Sequence, residues 1–496
     1  LGKVMFRDLY FGQASAETEV AQDPSRFLKN YYDRWNIANR LGRKDFFLLV
    51  GPKGAGKTAT SEYIRLHLQQ KHGKAHVFAK TLNLDEVSPG VSPLASITQK
   101  LVSDQATGIT DAAWRLFLSL RFFEMLLSDE SSSLANDPQA LDLAKRLRNA
   151  GLATSDFPSV LRKVRENKIS LSLKGLLTGE TASKQTEEVP VSALGQSLER
   201  LVLNAQSDNH FVLSIDGLDR IIGHNPAYWL TLAALLRVGE DFHHKLISAR
   251  SSLRFFVMCR SDVFRRISFA DSDKIAGDSA LFVDWGSQQT EPRDSPLWDY
   301  LAAKAEITPD ALFEHFPPHV SVGLRSSKPR NIPTIEYILT STRSTPREMT
   351  MLMRRLQEEV PPGGYVTSDR IRSAVDTFAS RDLLTTVKAE ATGLLKSDIA
   401  EHLEELLSSL PSAREVTRDD LGKSVVASGL EVDKTAELAE FLFMAGLIGN
   451  YDRNTGYIQF YHRRDTYKFK RTGPWQLHRG LMYAFNIPYS RGAANG

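Results

Sequence analysis

At 496 residues the chain is too long for one compact domain at roughly 150 residues each, and about three are expected. An apolar fraction of 42% and a charged fraction of 24% exclude a disordered or fibrous chain, and a net charge of +3 is no argument by itself for nucleic-acid binding. The single cysteine, Cys259, excludes an internal disulfide; in the apolar run LRFFVMC it reads as a buried, inert thiol, and such sparse cysteine fits a reducing, cytoplasmic compartment.

The first stretch, LGKVMFRDLYFGQASAETEV, has no secretory apolar core, and no run in the chain reaches the ~18 apolar residues of a membrane helix, so no membrane contact is expected. Beginning at Leu1 rather than Met, the chain is expected to have been trimmed or processed. Phe27, Tyr31, Tyr32 and Trp35 follow; such aromatics either fill a core or flank a bound base.

The segment DFFLLVGPKGAGKTATSEYIRLHL, Asp45 to Leu68, is the most specific in the chain. Its apolar run Phe46 to Val50 predicts a strand, GPKGAGKT matches the phosphate-loop pattern G-x-x-x-x-G-K-[ST] completely, and helix-compatible residues follow. Gly51, Gly54 and Gly56 permit backbone conformations closed to other residues, so successive N–H groups can face a phosphate at a helix N-terminus. The candidates for nucleotide contact are Gly51, Pro52, Lys53, Gly54, Ala55, Gly56, Lys57, Thr58 and Ala59. Lys57 is the candidate for the β- and γ-phosphates of ATP, and the Thr58 hydroxyl for Mg2+. The alternative is a glycine turn with an exposed lysine.

AHVFAKTLNL, Ala75 to Leu84, predicts the next strand. A long helical stretch, about 96–205, includes AAWRLFLSLRFFEMLL with apolar residues at helical spacing. It reads as an insertion packed on the sheet, a candidate regulatory or partner surface. Within it TGETASKQTEEVPVS, Thr178 to Ser192, predicts a mobile loop. FVLSIDGLDR, Phe211 to Arg220, then supplies a buried strand, Val212 to Ile215, expected beside the first and ending at Asp216. Asp216 is the second Mg2+ ligand candidate, and Asp219, one turn on, the candidate to orient or activate water. Two close carboxylates repel, and a bound divalent cation removes that cost. LRFFVMCRSDVFRRI predicts a buried strand followed by the polar Arg260, Ser261 and Asp262. In STPREMTMLMRRLQEEV, Thr345 and Glu348 have capping-box spacing, Pro346 stands at the first helical position, and Met349, Leu352, Leu356 and Val360 mark one apolar face. Arg347 then lies in the first turn, where a cation opposes the helix dipole unless it points at an anion.

From Thr367 the pattern is helical through Leu410, and TRDDL and DKTAELAEFLFMAGLIG predict two more short helices. YDRNTGYIQFY reads as a hairpin with its second strand at Tyr457 to Tyr461, completing the order of a winged helix. Residues 451–496 hold eight Lys or Arg against two Asp, and HRRDTYKFKRTGPWQLHR mixes basic with aromatic side chains, which suits either a phosphate backbone or a solvated face over an aromatic core. His462 and His478 lie far apart in sequence without nearby cysteines, so no metal site is expected there.

With its motifs placed, the chain resembles P-loop ATPases of the AAA+/STAND group over roughly residues 25–360. The Asp216-Gly-Leu-Asp-Arg220 turn is similar to the Asp-Asp-Leu-Asp-Arg version of KAP-family ATPases and to bacterial P-loop ATPases found beside genome-defence genes. The guanine-reading Asn-Lys-x-Asp is absent, since Asn167-Lys168 continues as Ile169-Ser170, and there is no Leu-Ser-Gly-Gly-Gln, so a GTPase or transporter ATPase is disfavoured. The resemblance implies γ-phosphate sensing by Arg260, at the end of the strand after the Mg2+ strand, and by Arg347, opening a lid helix; Arg265 and Arg266 are candidates to act on a neighbouring subunit. Many such ATPases carry Glu directly after the Mg2+ aspartate. Here that position is Gly217, which leaves Asp219 or a residue from elsewhere as the base.

The expected fold class is α/β: a P-loop NTPase core with a mostly parallel sheet flanked by helices, a helical insertion, a helical lid and a C-terminal winged-helix-like domain. The boundaries expected are 1–330 for the ATPase domain, 331–390 for the lid and 391–496 for the winged helix. The expected activity is Mg2+-dependent ATP binding and hydrolysis in an oligomeric switch or motor, with ATP and Mg2+ as cofactors. Homo-oligomers or a separate effector protein are the expected partners, and nucleic acid is a candidate partner of the C-terminal domain. Two rivals are a non-hydrolysing ATP-binding scaffold or switch, and a DNA-binding loader ATPase.

Overall fold

Five consecutive apolar residues, Phe46 to Val50, are each 0% exposed, and β1 (Leu48–Gly51) is drawn from them. A run buried on both faces belongs inside a parallel sheet. In the computed structural model, which describes residues 4–84, 105–152, 160, 191–218, 226–267, 272–286, 291–323, 330–411, 414–463, 467–485 and 487, it forms one with β2 (Val77–Asn83), β3 (His210–Asp216), β4 (Leu253–Arg260) and β5 (Ala280–Phe282). The sheet is parallel, in the order β2-β3-β4-β1-β5. β3 is in register with β2 from Val77↔His210 to Asn83↔Asp216, and with β4 from Phe211↔Leu253 to Ile215↔Val257. The Asp216 strand is therefore not beside β1, as the sequence suggested. β4 stands between them, because its buried run takes the middle place, where both faces are covered.

Helices flank the sheet: α1 (Lys57–His72), α2 (Gln105–Leu127), α3 (Pro138–Asn149), α4 (Val191–Asn204), α5 (Pro226–Ser248) and the short α6 (Ser261–Arg266). Of the long helical stretch expected at about 96–205, α2, α3 and α4 are present; it is broken between α2 and α3 by the turns of 128–137, where Asp137 caps α3, and most of the rest lies outside the described residues. So does most of the loop expected at Thr178 to Ser192; its last two residues are helical instead, because the buried stripe Leu194, Leu198, Val202 draws the helix back to Val191. Arg115 of α2 reaches Glu199 of α4 and, at 2.7 Å, Asp241 of α5, and Lys245 of α5 bonds both carboxylates, joining the three helices.

The residues group into two compact units, one of 35–50 and 60–282, the other of 1–34, 51–59 and 283–496. In the second unit β6 (His319–Val322) pairs antiparallel with β7 (Arg330–Pro333). α7 (Pro346–Glu359) begins where the capping pattern put it: Thr345 Oγ1 accepts the Glu348 N–H at 3.3 Å, and Met349, Leu352, Leu356 and Val360 are at most 1% exposed. The capping box is not closed. Glu348 accepts instead from the Arg343 backbone N–H at 2.6 Å and from its Nε at 2.7 Å. Helix α8 (Ser368–Thr377) continues through a π-turn, Phe378–Leu383, into α9 (Leu384–Leu394).

The C-terminal module is winged-helix-like. It comprises α10 (Leu403–Ser408), β8 (Glu415–Val416), α11 (Arg418–Ala427), α12 (Thr435–Met444), then β9 (Ile448–Tyr451) and β10 (Ile458–Phe460), a hairpin whose turn holds Gly456 at φ +70°. A further strand, β11 (Trp475–Leu477), enters the sheet between β9 and β8, in the order β10-β9-β11-β8. Trp475, 0% exposed and stacked on Phe469 at 5.5 Å between centroids, anchors it. No helix among the described residues is long and apolar enough to cross a membrane.

Candidate nucleotide site

The loop after β1 has the backbone that a phosphate cradle requires. Gly54 and Gly56 sit at φ +82° and +94°, where a side chain is strained. Lys57 opens α1 and is 8% exposed; its ammonium donates to the carbonyls of Gly51 at 2.9 Å and Pro52 at 3.1 Å. The amine thus rests on the loop that would hold the phosphate. Ala55 is buried, whereas Pro52, Lys53, Gly54, Gly56, Thr58 and Ala59 are half-buried.

Two neighbours brace this loop, and neither was read from the sequence as doing so. The indole N–H of Trp285 donates to the Ala55 carbonyl at 2.9 Å. Its ring lies 6.2 Å from that of Tyr32 and 5.8 Å from that of Tyr300. On the other side the Arg347 backbone N–H donates to the Gly54 carbonyl at 3.3 Å. A Cβ on Gly54 would lie 3.2 Å from both Arg347 Cβ and Thr345 Oγ1, so the helix start packs directly on the loop. The Arg347 guanidinium is turned to the Ala14 carbonyl, at 3.1 Å from Nε. Of the aromatics before the loop, Phe27 is 1% exposed core, under the Lys304 ammonium, and Tyr32 reaches the loop's surroundings through Trp285.

The sheet supplies the second set of candidates. Parallel strands bring their C-terminal ends to one edge, and the paired β3 and β4 end there at Asp216 and Arg260. Asp216 Oδ1 accepts the N–H of Gly217 at 2.8 Å, and Gly217 has φ +80°, so the chain turns at once. Asp219 lies outside the described residues. Arg260, 5% exposed, is bound through Nε and Nη2 to the Asp262 carboxylate at 2.9 and 2.6 Å. Arg265 is exposed and Arg266 half-buried on α6. Ser214 of β3 joins Ser61 of α1 at 3.0 Å and Thr81 of β2 at 2.8 Å, fixing helix to strands by hydroxyls that carried no sequence signal.

A threonine hydroxyl and a carboxylate are hard oxygen donors of the kind Mg2+ takes; Thr58 lies in the first turn of α1, and Asp216 ends β3. Among the described residues no group of three or more His, Cys, Asp or Glu could hold a metal by itself. His462 and His478, distant in sequence, meet edge to face at 5.2 Å. The imidazole of His478 donates from Nε2 to the Thr342 carbonyl at 3.1 Å and accepts the Gly480 N–H at Nδ1, also at 3.1 Å. Burial pushes it down to about 3, against the Thr342 carbonyl, which favours the proton. Cys259 is buried, as expected.

No protein-family model matches the sequence, and no curated protein matches it. Among solved structures the chain is similar to the Aeropyrum pernix Orc1 protein in complex with DNA, at 12% identity and a TM-score of 0.41, over 94% of this chain and 95% of that one. It is similar also to Cdc6p from Pyrobaculum aerophilum, at 10% identity and a TM-score of 0.23, over 94% and 96%. Scores of this size assign no function, and the functional reading rests on the residues themselves.

Proposed function

We propose that this chain binds ATP with Mg2+ and hydrolyses it, acting as a switch or motor that assembles with copies of itself or with a separate effector. The observation that carries the reading is the loop Gly51–Thr58, with its two glycines at positive φ and a buried lysine resting on loop carbonyls at the start of a helix. In this reading Lys57 leaves the carbonyls of Gly51 and Pro52 for the phosphates, and the loop amides line the rest of the chain of phosphate oxygens. Thr58 and Asp216 would hold the metal, which when bound neutralises phosphate charge. Arg347 turns from Ala14 to the γ-phosphate. Arg260 can do the same only by exchanging its Asp262 partner. Asp219 orients the attacking water. The Asp216–Arg220 turn extends the proposal to KAP-like or STAND-like ATPases of bacterial genome defence. The basic C-terminal module is the proposed place for nucleic acid, if the ATPase acts as a loader.

Equilibrium binding of labelled ATP and release of phosphate, each with Mg2+ and with chelator, test the reading. Saturable binding that needs Mg2+, with steady phosphate release, is expected; absence of binding by the intact protein overturns it. Gly217 favours one second reading, a switch that holds ATP without turnover. Tight ATP binding with no phosphate released in single-turnover conditions would establish it in place of the first.

A further inference from the structure

Both braces of the phosphate loop are backed by one body. The residue after Trp285 is Gly286, and a Cβ there would overlap the His462 carbonyl oxygen and lie 3.0 Å from Arg463 Cα, so the first brace sits directly on the end of the β9–β10 hairpin. The second brace, Thr345 to Arg347, follows Thr342 and Arg343. Thr342 gives its carbonyl to His478, just past β11. Arg343, 6% exposed, spans from Glu348 of α7 to Glu390 of α9, at 2.8 and 3.2 Å, and to the Ala445 carbonyl that ends α12, at 3.0 Å. All these residues belong to one compact unit. Glu348 and Glu390 are 3% and 4% exposed, so the guanidinium cannot part from either without stranding a charge in a low dielectric. His462 and His478 touch each other, which closes the circuit behind the loop.

We propose that the winged-helix-like module positions the phosphate loop through these two braces, with Arg343 as the fixed point, so that nucleotide at the loop and a load on the module are coupled. Arg343, Glu390 and Gly286 are positioning residues; none of them is assigned a contact with nucleotide. The inference rests on the ATP-binding reading for its second half only. By linkage, a module that sets the loop's affinity must itself respond to the nucleotide by the same factor.

The test uses the full chain. Glu390→Gln removes one charge of the knot while keeping its shape, and Gly286→Ala forces the hairpin end off the first brace. Asp382→Asn is the control: it breaks the Arg355–Asp382 ion pair of the same unit, which touches neither brace. In nucleotide-free protein, amide exchange at residues 51–59 should quicken about tenfold in both variants and stay unchanged in the control, even though all three melt at lower temperature. With ATP and Mg2+ the dissociation constant should rise about tenfold in both and less than twofold in the control. ATP should also slow exchange in β9 and β11 of the wild type, and not in Glu390→Gln. Equal loop exchange in variants and control overturns the proposal whether or not ATP binds. Loop protection by ATP with no change in β9 and β11 overturns it too. A wild type that binds no ATP but shows the exchange difference removes the ATPase reading and leaves the bracing intact.

Discussion

Lys57 and Arg260 are both buried cations, 8% and 5% exposed, the first opening a helix and the second ending a strand, and they are held in opposite ways. Lys57 rests on neutral carbonyls of its own loop; Arg260 is clamped by two hydrogen bonds to the carboxylate of Asp262. A cation is drawn more strongly to an anion than to a neutral carbonyl. An ammonium moved from these carbonyls onto a phosphate gains an anion, while the guanidinium would trade one anion for another. The first cation is set for exchange and the second for staying.

Four measurements break or sharpen that contrast. Arg260→Ala takes the guanidinium from a buried carboxylate and should cost about 3–5 kcal/mol of stability in denaturant unfolding, with ATP affinity changed less than threefold in protein that remains folded. A large affinity loss at full stability would erase the distinction. Lys57→Ala should do the converse, lowering ATP affinity roughly 100-fold, about 2.7 kcal/mol, with little change in melting. Acid probes the support behind the loop. His478 is held down to about 3 in the folded state against about 6.5 unfolded, so its contribution is complete above about pH 6.5 and is lost as pH falls, on the order of 1 kcal/mol per unit. Melting between pH 7 and 5 should show at least that slope, since burial also holds His462 and His243 down, and His478→Gln should lower it by about 1 kcal/mol per unit. Thr345→Ala removes the cap of α7 and should cost about 1 kcal/mol, the smallest effect, with a loosening of the loop's Gly54 side seen as faster amide exchange.

Much of the loop was legible because its chemistry is contiguous. Strand, glycines, lysine and helix fall within Asp45 to Leu68, and each link is local. The start of α7 was legible for the same reason: Thr345 and Pro346 act within one turn. What holds the loop was not legible. Trp285 and Ala55 are 230 residues apart, and His478 and Thr342 are 136 apart. Nothing in the composition of either segment announces the other. Glu348 had the spacing of a cap but went to Arg343, since a buried guanidinium draws a carboxylate more strongly than a backbone N–H does. Strand order failed likewise: apolar runs predicted strands at β1, β3 and β4, but a run does not say which strand lies in the middle.

The place of β11 has a consequence for how the chain is made. It follows β8 and β9 in synthesis yet lies between them in the finished sheet. Until Trp475–Leu477 has left the ribosome, each of those strands carries a bare edge able to pair with a stranger. The newborn module thus passes through a sticky interval that ends only when one buried tryptophan arrives.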